Sequence, residues 1–294
     1  MDFGIRIDQP ELGRPGASRR LHFGPSKGPA MVILNGVGNG FEGGSDAPDL
    51  SLKWVPKGRA EYRTEGHCYP LSGATQLLLN RGQAYRLNLI GPAETFVLFF
   101  PRQAADEAWQ SQTGASEPMP EIPTAAARAP ATLHSGLANL RAESREPAPD
   151  AERLQELCCE VLVEIAALAE LRRGQVRRIP AARRSTREEL LRRLLRAETY
   201  LEATGCHATL GGAASAAALS RFHLIRLFQA TFGETPLAYG VAIRLERARD
   251  ELATTRKSIA EIAETAGYES RTAFDRAFAR RFRATPGSVR ASAG

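Results

Sequence analysis

The feature that most constrains the fold of this chain is a repeat of 50 residues near the C-terminus. Seven identities and one apolar exchange fall within seventeen ungapped positions, and a fixed period of this kind indicates one supersecondary unit used twice. The matched positions are Ser220 and Ser270, Arg221 and Arg271, Leu224 and Phe274, Arg226 and Arg276, Phe228 and Phe278, Phe232 and Phe282, Thr235 and Thr285, and Pro236 and Pro286.

Each copy of the repeat has the pattern of two helices joined by a short turn. A helix of small residues (Leu210–Ala218; Ile259–Ala266) precedes a second helix (Ser220–Phe232; Ser270–Phe282) whose apolar residues recur at i, i+3 and i+4. This pattern predicts helix-turn-helix units that present the second helix to a DNA groove. A generic helical hairpin is the alternative for either copy taken alone.

The apolar spacing of the second helices also predicts which side chains point outward. In the first copy these are Arg221, Phe222, Ile225, Arg226 and Gln229, and in the second they are Arg271, Thr272, Asp275, Arg276 and Ala279. Between the copies, Pro236–Thr255 can form one helix about 30 Å long. Recognition helices on one face of B-DNA lie about 34 Å apart, so we expect the two units to read adjacent turns of major groove.

Several residues are typical of helix starts. Ser185 with Glu188, and Ser258 with Glu261, have the spacing of capping boxes. Thr235-Pro236 and Thr285-Pro286 each place a capping hydroxyl before a proline at the first helical position.

The net charge of the chain is carried by its C-terminal part. Residues 184–294 contain 18 of the 39 basic and 12 of the 33 acidic residues, so residues 1–183 are neutral and the excess of six lies downstream. A basic domain joined to a neutral one favours a polyanion reader with a separate activity upstream. A solvated charged surface would explain the imbalance almost as well.

Residues 25–105 have the pattern of a β-rich domain. Gln76–Ile90 is predicted to form a hairpin, and the absence of a long helical pattern favours a barrel or sandwich. The β-rich runs are Met31–Leu34, Gln76–Asn80, Tyr85–Ile90 and Thr95–Phe100.

Two segments connect this region to the basic part. Residues 111–149 are rich in proline and alanine and are predicted to be mostly linker, with a short helix near Leu133–Leu140. Asp150–Arg173 is predicted to be a helix whose apolar residues recur at spacings of 4, 3, 4 and 3. That face fits a small antiparallel dimer contact and a helix lying on the β-domain equally well.

Residues 186–292 resemble the DNA-binding region of the AraC/XylS regulators. The resemblance includes the signature of that family's second unit, namely Ile262-Ala263, Gly267-Tyr268, Phe274, Phe278 and Thr285-Pro286. It implies a seven-helix bipartite domain that usually activates transcription by placing RNA polymerase beside its site. It also aligns Phe222, Ile225, Arg226, Arg271, Thr272 and Arg276 with positions that contact bases and backbone.

The chain departs from the AraC/XylS pattern at two positions. Ala218 stands where a glycine is common in the first turn, and Ile225 occupies a place that is often polar. The first unit is therefore expected to read thymine methyl groups more than hydrogen-bonding base edges. Upstream, Leu77–Leu87 resembles, more loosely, the cupin-like sensor domain that many such regulators carry, which implies a small-molecule effector.

Other patterns are assigned to structure rather than chemistry. The glycine-rich segment 35–43 lacks the following helix that a dinucleotide site needs, and we expect a flexible loop. His67 has only Glu65, Cys68 and Tyr69 nearby, too few ligands for a metal-dependent cupin. The four cysteines fit neither a disulfide framework nor a zinc spacing, so we expect reduced, buried thiols; a redox or metal sensor at Cys158 and Cys159 is the alternative.

The sequence therefore predicts a multi-domain α+β protein that binds double-stranded DNA and is neither an enzyme nor bound to a cofactor or metal. Its predicted parts are a cupin-like sensor (1–110), a linker (111–149), a connector helix (150–173) and an all-α domain with two helix-turn-helix units (184–294). We expect a cytoplasmic location, because no segment has the length of a signal core or membrane span. The resemblance to the AraC/XylS regulators implies a ligand-responsive activator. The alternatives are a regulator whose first domain only dimerises and a metal-dependent cupin enzyme fused to a DNA-binding module.

Overall fold

The computed structural model describes residues 4–12, 18–20, 30–45 and 49–293. It divides into two compact units, Met1–Gln175 and Val176–Gly294, which are described separately. No helix in the described part of the chain combines the length and the apolar character needed to cross a membrane.

The first unit is built on two β-sheets. The strands are β1 Ile5–Asp8, β2 Glu11–Leu12, β3 Ser18–Arg20, β4 Met31–Asn39, β5 Glu42–Ser45, β6 Leu50–Lys57, β7 Ala60–Thr64, β8 His67–Leu71, β9 Thr75–Leu79, β10 Tyr85–Leu89, β11 Pro92–Phe100 and β12 Ala126–Arg128. A seven-stranded sheet has the order β1-β4-β11-β6-β9-β12, with β2 also paired to β4. A five-stranded sheet has the order β3-β5-β10-β7-β8.

Side-chain alternation along the strands produces a three-layer arrangement. In β11, Phe96, Leu98 and Phe100 face the helices, whereas Val97 and Phe99 lie in the core between the two sheets. The seven-stranded sheet is therefore the middle layer, with helices on one face and the five-stranded sheet on the other. Both of its faces are buried, which explains why β11 is almost continuously apolar.

The same alternation runs along β6. Leu52 and Trp54 face the helices, whereas Val55 belongs to the core between the sheets. Successive side chains of a strand therefore alternate between the core under the helices and the core between the two sheets.

Three helices cover the outer face of the seven-stranded sheet: α1 Arg102–Thr113, α2 Ala131–Glu143 and α3 Ala151–Arg178. The segment 111–149, predicted as mostly linker, differs from that expectation because it contributes both β12 and α2 to this unit. β12 pairs with β9, and Leu133, Leu137 and Leu140 of α2 are fully buried. The short helix predicted near Leu133–Leu140 is confirmed, and the i, i+4, i+7 spacing of these leucines is its signal.

The apolar face of α3 lies in the core of the first unit. Leu154, Cys158, Val161 and Ile165 are buried in the same cluster as Leu52 of the sheet. Of the two arrangements that the sequence left open for this helix, the structure contains packing on the β-domain. The residues that would have formed a dimer seam are therefore already covered by the chain itself.

Two predictions for the β-rich region are corrected. Strands β9 and β10 do not form a hairpin, because they belong to different sheets. The Asn80 side chain donates to the carbonyl of Ile122 and accepts from its N–H, at 2.8 and 2.9 Å, so this turn is tied to the segment before β12. The glycine-rich segment 35–43 is not a loop throughout, since β4 continues to Asn39.

Glycine is required where β4 pairs with β2 on one side and with β11 on the other. A Cβ atom on Gly36 would lie 2.5 Å from Thr95 Oγ1 and 2.8 Å from a Leu12 methyl carbon. A Cβ atom on Gly38 would meet the Leu12 backbone. These glycines permit a close approach of neighbouring strands, which is a structural use that does not involve a nucleotide.

The second unit is helical. Its helices are α4 Arg184–Thr204, α5 Leu210–Ala217, α6 Arg221–Phe232, α7 Pro236–Thr254, α8 Ile259–Thr265, α9 Arg271–Phe282 and α10 Pro286–Ala293. A short 3₁₀ turn at Gly205–His207 follows α4.

The predicted helix starts of the second unit are mostly confirmed. Ser258 and Glu261 form the capping box, and α7 and α10 begin at Pro236 and Pro286. The capping box predicted at Ser185 is wrong, because α4 begins one residue earlier and has no side-chain cap. Glu188 instead pairs with Arg184, with 2.7 Å between Oε1 and Nε.

Candidate DNA-binding surface

The first helix pair consists of α5 and α6. Thr209 Oγ1 caps α5 by accepting from the Gly212 N–H at 3.0 Å, and Ser220 Oγ caps α6 by accepting from the His223 N–H at 3.3 Å. Between them, Ala218 adopts a left-handed conformation with φ of 51°. The Leu219 N–H then closes the end of α5 on the Ala214 carbonyl at 2.9 Å.

The second helix pair, α8 and α9, repeats this arrangement. Gly267 takes the left-handed position with φ of 79°, and the Tyr268 N–H closes the end of α8 on the Ala263 carbonyl at 3.0 Å. Ser270 Oγ caps α9 by accepting from the Ala273 N–H at 3.2 Å.

The two pairs differ by one residue in the turn. The caps of the first helices, Thr209 and Ser258, are 49 positions apart, whereas the caps of the second helices, Ser220 and Ser270, are 50 apart. The two left-handed residues that end the first helices, Ala218 and Gly267, are likewise 49 positions apart. The second turn therefore has one additional residue, and the 50-residue period holds only from the second helix of each pair onward.

Apolar packing fixes the inner faces of α6 and α9. Leu224, Leu227 and Phe228 are buried in α6, and Phe274 and Phe278 are buried in α9. In the second pair this packing forms one cluster with the spacer helix α7 and with α8; its other members include Leu245, Ala248, Leu252, Ile262 and Ala263. The faces that the sequence predicted to point inward are confirmed as buried.

Arginines on the preceding helices hold the first helix of each pair. Arg196 Nε donates to the Ala216 carbonyl at 3.2 Å, and Arg244 Nη1 donates to the Ala266 carbonyl at 3.1 Å. Each guanidinium thus caps carbonyls at the end of α5 or α8, where the helix has unpaired acceptors. The sequence did not mark these arginines, because the carbonyls that they bind are about 20 residues away.

On α6, four of the five predicted contact residues are exposed. They are Arg221, Phe222, Arg226 and Gln229, while Ile225 is half-buried. Phe222 is 78% exposed, which is unusual for a residue of this size. An aromatic ring displayed beside two arginines provides both an apolar surface and positive charge to a partner.

On α9, Arg271, Thr272 and Arg276 are exposed and Asp275 is half-buried. Arg271 Nε lies 3.7 Å from Asp275 Oδ2, so this arginine is partly neutralised within its own helix. Among the described residues, Arg226 and Arg276 make no hydrogen bond or ion pair, and their charges remain available to a ligand. The repeat therefore places one uncommitted arginine at the same position of each second helix.

The spacer helix α7 joins the two pairs. Its 19 residues span about 28 Å at about 1.5 Å per residue. Tyr239 near its start lies against α4, with its hydroxyl 2.7 Å from Glu202 Oε1 and 3.0 Å from Glu198 Oε1. Burial raises the pKa of the Tyr239 hydroxyl well above its usual range, so this group stays a proton donor and anchors the spacer.

The other candidate sites weighed from the sequence lie apart from these helices. His67 Nδ1 is 3.0 Å from the Glu65 carbonyl, and no group of three metal-ligating side chains occurs among the described residues. Cys158 is buried, and desolvation raises the pKa of its thiol to about 12, which keeps it protonated. Cys68 and Cys206 are exposed, contrary to the expectation that all four thiols are buried.

The left-handed alanine provides a test of the turn geometry. We expect Ala218→Gly to stabilise the second unit by about 0.5–1 kcal/mol, because relief of the left-handed penalty of about 1–2 kcal/mol exceeds the added entropy of the unfolded glycine. The matched control, Ala216→Gly in helical backbone, should cost about 1 kcal/mol. Calorimetry of both variants and the parent measures the change in the free energy of unfolding. A loss of stability in Ala218→Gly would contradict the assigned backbone conformation.

Comparisons with known proteins bear on this surface. A family model described as a helix-turn-helix domain matches residues 213–292. The chain is 26% identical over 231 residues to the RCS-specific HTH-type transcriptional activator RclR of Escherichia coli K12, covering 76% of this chain and 78% of that protein. It is 41% identical over 78 residues to the HTH-type transcriptional regulator AlkR of Acinetobacter baylyi, covering 26% of each.

A solved structure is also similar to part of this chain. It is a transcriptional regulator with an AraC-type DNA-binding domain from Chromobacterium violaceum, 29% identical, with a TM-score of 0.34. The match covers 38% of this chain and 97% of that one.

Proposed function

We propose that this chain, which is a DNA-binding transcription regulator of the AraC type, reads two adjacent turns of the major groove with α6 and α9. In this proposal each helix pair is one helix-turn-helix unit. The outward residues of the two second helices contact DNA: Arg221, Phe222, Ile225, Arg226, Gln229, Arg271, Thr272, Asp275 and Arg276.

The observation that carries the proposal is the pair of uncommitted arginines at matched positions of α6 and α9. A guanidinium without an internal partner can bind guanine edges or phosphates without first breaking an ion pair. The spacer of about 28 Å is close to the separation of about 34 Å between successive major-groove segments on one face.

We assign different DNA-contact roles to the side chains of α6 and α9. Phe222 and Ile225 supply apolar contact for thymine methyl groups, and Arg226 reads base edges. Arg271 is paired to Asp275, and we assign it to the sugar-phosphate backbone of the DNA. A partly neutralised charge there still helps to position the protein on the duplex.

We further propose that the first unit is a cupin-like effector domain and that the chain activates transcription together with RNA polymerase. RclR, which is named a transcriptional activator, is similar over 231 residues, or 76% of this chain. A cavity between the two sheets of the first unit is the place where an effector can bind.

Footprinting of the full chain on its own upstream region tests the groove assignment. We expect two protected segments about one helical turn apart on the same face of the duplex. Affinity should fall steeply with salt, because each neutralised phosphate contributes a slope of about −0.9 in log K against log salt. A single protected segment, or binding insensitive to salt, would contradict the proposal.

A further inference from the structure

The core between the two sheets contains a lysine that has no counter-charge among the described residues. Lys53 on β6 is 0% exposed, and among the described residues its Nζ has no hydrogen-bond partner. Strand alternation explains its position, since Leu52 and Trp54 on either side of it face the helices. An unpaired ammonium in an apolar core is costly, so its presence calls for an explanation.

Two aromatic rings enclose the amine. Lys53 Nζ lies 4.3 Å from the centroid of the Tyr85 ring, on the five-stranded sheet, and 4.1 Å from that of Phe99, on the seven-stranded sheet. The faces of these rings favour a cation between them. They provide no hydrogen-bond acceptor of the strength that a carboxylate would, so the N–H donors of the amine stay unsatisfied.

A second donor without a partner belongs to the tyrosine that packs against the Tyr85 ring. Tyr62 is fully buried, its hydroxyl has no hydrogen-bond partner among the described residues, and its ring centroid is 5.6 Å from that of Tyr85. Burial raises the pKa of the Tyr62 hydroxyl well above its usual range, which keeps it a donor. Lys53, Tyr85 and Tyr62 thus form a donor cluster that contains no acid.

An apolar cavity adjoins the donor cluster. It has a volume of about 20 Å³ and is lined by Tyr62 and Tyr85 together with apolar residues of both sheets, including Leu12, Leu34, Phe41, Leu87 and Val97. This space admits about one water-sized group, so a larger ligand would enter by displacing side chains. Gly36 and Gly44 contribute no side chain to the lining, which leaves backbone at that wall.

We propose that the first unit binds a small organic carboxylate, with its anionic head at Lys53 and Tyr62 and its apolar body in the adjoining cavity. The carboxylate supplies the missing counter-charge and accepts hydrogen bonds from both donors, while the apolar lining excludes ligands with a polar body. The inference rests on the proposed function only in taking the bound carboxylate as the effector.

Thermal unfolding of the full chain with butyrate, hexanoate and benzoate tests the inference, with butyramide, hexanamide and benzamide as uncharged counterparts. We expect at least one carboxylate to raise the Tm and its amide not to. Lys53→Met should bind that carboxylate about ten- to a hundredfold more weakly, because it loses a charged hydrogen bond.

Lys57→Met is the matched control. It makes the same substitution on the same strand, but Lys57 is on the surface, with its side chain 74% exposed and paired to Glu94. Binding should be unchanged in this variant. Tyr62→Phe should weaken binding less than Lys53→Met does, because it removes one neutral hydrogen bond.

Two results would overturn the inference. One is that no carboxylate of the panel raises the Tm. The other is that the parent binds the amide as tightly as the carboxylate, or that Lys53→Met binds the carboxylate as tightly as the parent does. Footprinting separates this failure from failure of the proposed function. If the footprint is intact but no carboxylate binds, only the carboxylate inference fails. If a carboxylate binds but there is no footprint, only the assignment of α6 and α9 to DNA fails.

Discussion

Replacing Arg226 with alanine is expected to relax base preference in one half of the DNA site and to leave the other half unchanged. Arg226 is exposed on α6 between the buried residues Leu224 and Phe228, and it makes no ion pair among the described residues. A base-reading arginine contributes about 1–3 kcal/mol at the position it reads. This corresponds to a loss of about five- to 150-fold for the preferred base.

Arg276→Ala should act on the other half of the site, about one helical turn away. We expect a backbone or mixed contact here, because Arg280, Arg281 and Arg283 already make the end of α9 densely basic. Loss of a phosphate contact weakens binding to all sequences alike and reduces the salt slope by about one. Selection from randomised sites, with binding measured at several salt concentrations, distinguishes the two effects.

Arg256→Ala is the control for both arginine variants. Arg256 is exposed in the connection between α7 and α8, outside both second helices, and its removal changes the net charge by the same amount. Base preference should be retained in this variant. If Arg226→Ala and Arg276→Ala leave affinity, salt slope and base preference as in the parent, then α6 and α9 do not face the grooves.

Lys53→Met is expected to stabilise the ligand-free protein by about 1–3 kcal/mol. The substitution replaces an unpartnered buried amine by an apolar side chain of similar length, which removes the desolvation penalty of the amine. The same variant is expected to bind carboxylate about ten- to a hundredfold more weakly, so stability and carboxylate affinity should change in opposite directions. Calorimetry of the ligand-free chain measures the stability. Titration with the carboxylate of the panel that raises the Tm of the parent measures the affinity.

The gain from Lys53→Met should depend on pH in a defined direction. Burial lowers the pKa of the Lys53 amine well below its usual value, so the unfolded chain binds more protons than the folded chain between these two values. The free energy of unfolding of the parent therefore falls as the pH drops below about 10.4. The advantage of the methionine variant should be larger at about pH 7 than at about pH 9.

Lys57→Met again provides the comparison, because its exposed amine should give little change in stability at either pH. A methionine variant at position 53 that is less stable than the parent at both pH values would mean that the amine has a stabilising partner in the folded protein.

The helices of the second unit could be predicted from sequence because their signals are local. The capping residues Ser220, Ser258 and Ser270 lie within three residues of the N–H groups that they bind, and the apolar spacing marks the buried faces. The additional residue in the second turn was not predicted, because the ungapped match begins after it. The exposed faces of α6 and α9 followed from the same spacing, whereas their contacts with DNA stay a prediction.

The sheets of the first unit could not be predicted to the same extent. The four predicted β-rich runs fall on β4, β9, β10 and β11, whereas β6, β7 and β8 were not predicted. Strand partners depend on residues far apart in the chain, such as Asn80 and Ile122. Lys53 could not be distinguished from a surface lysine, because the sequence does not reveal that a second sheet covers β6. The alternation of Leu52, Lys53 and Trp54 indicates that position 53 faces the opposite side of the strand from its two neighbours, but it does not reveal that this side is buried.

The spacer helix α7 sets an angle as well as a distance. Neighbouring residues of an α-helix are about 100° apart around the axis and about 1.5 Å apart along it. Adding one residue to α7 would therefore swing the second helix pair sideways while moving it forward only slightly. DNA couples rotation to translation at about one turn in 34 Å, a pitch that the protein helix does not share. Under the proposed reading of DNA, a substitution on α6 or α9 changes the bases preferred in one half of a site, whereas the interval between the halves is set by the length of α7.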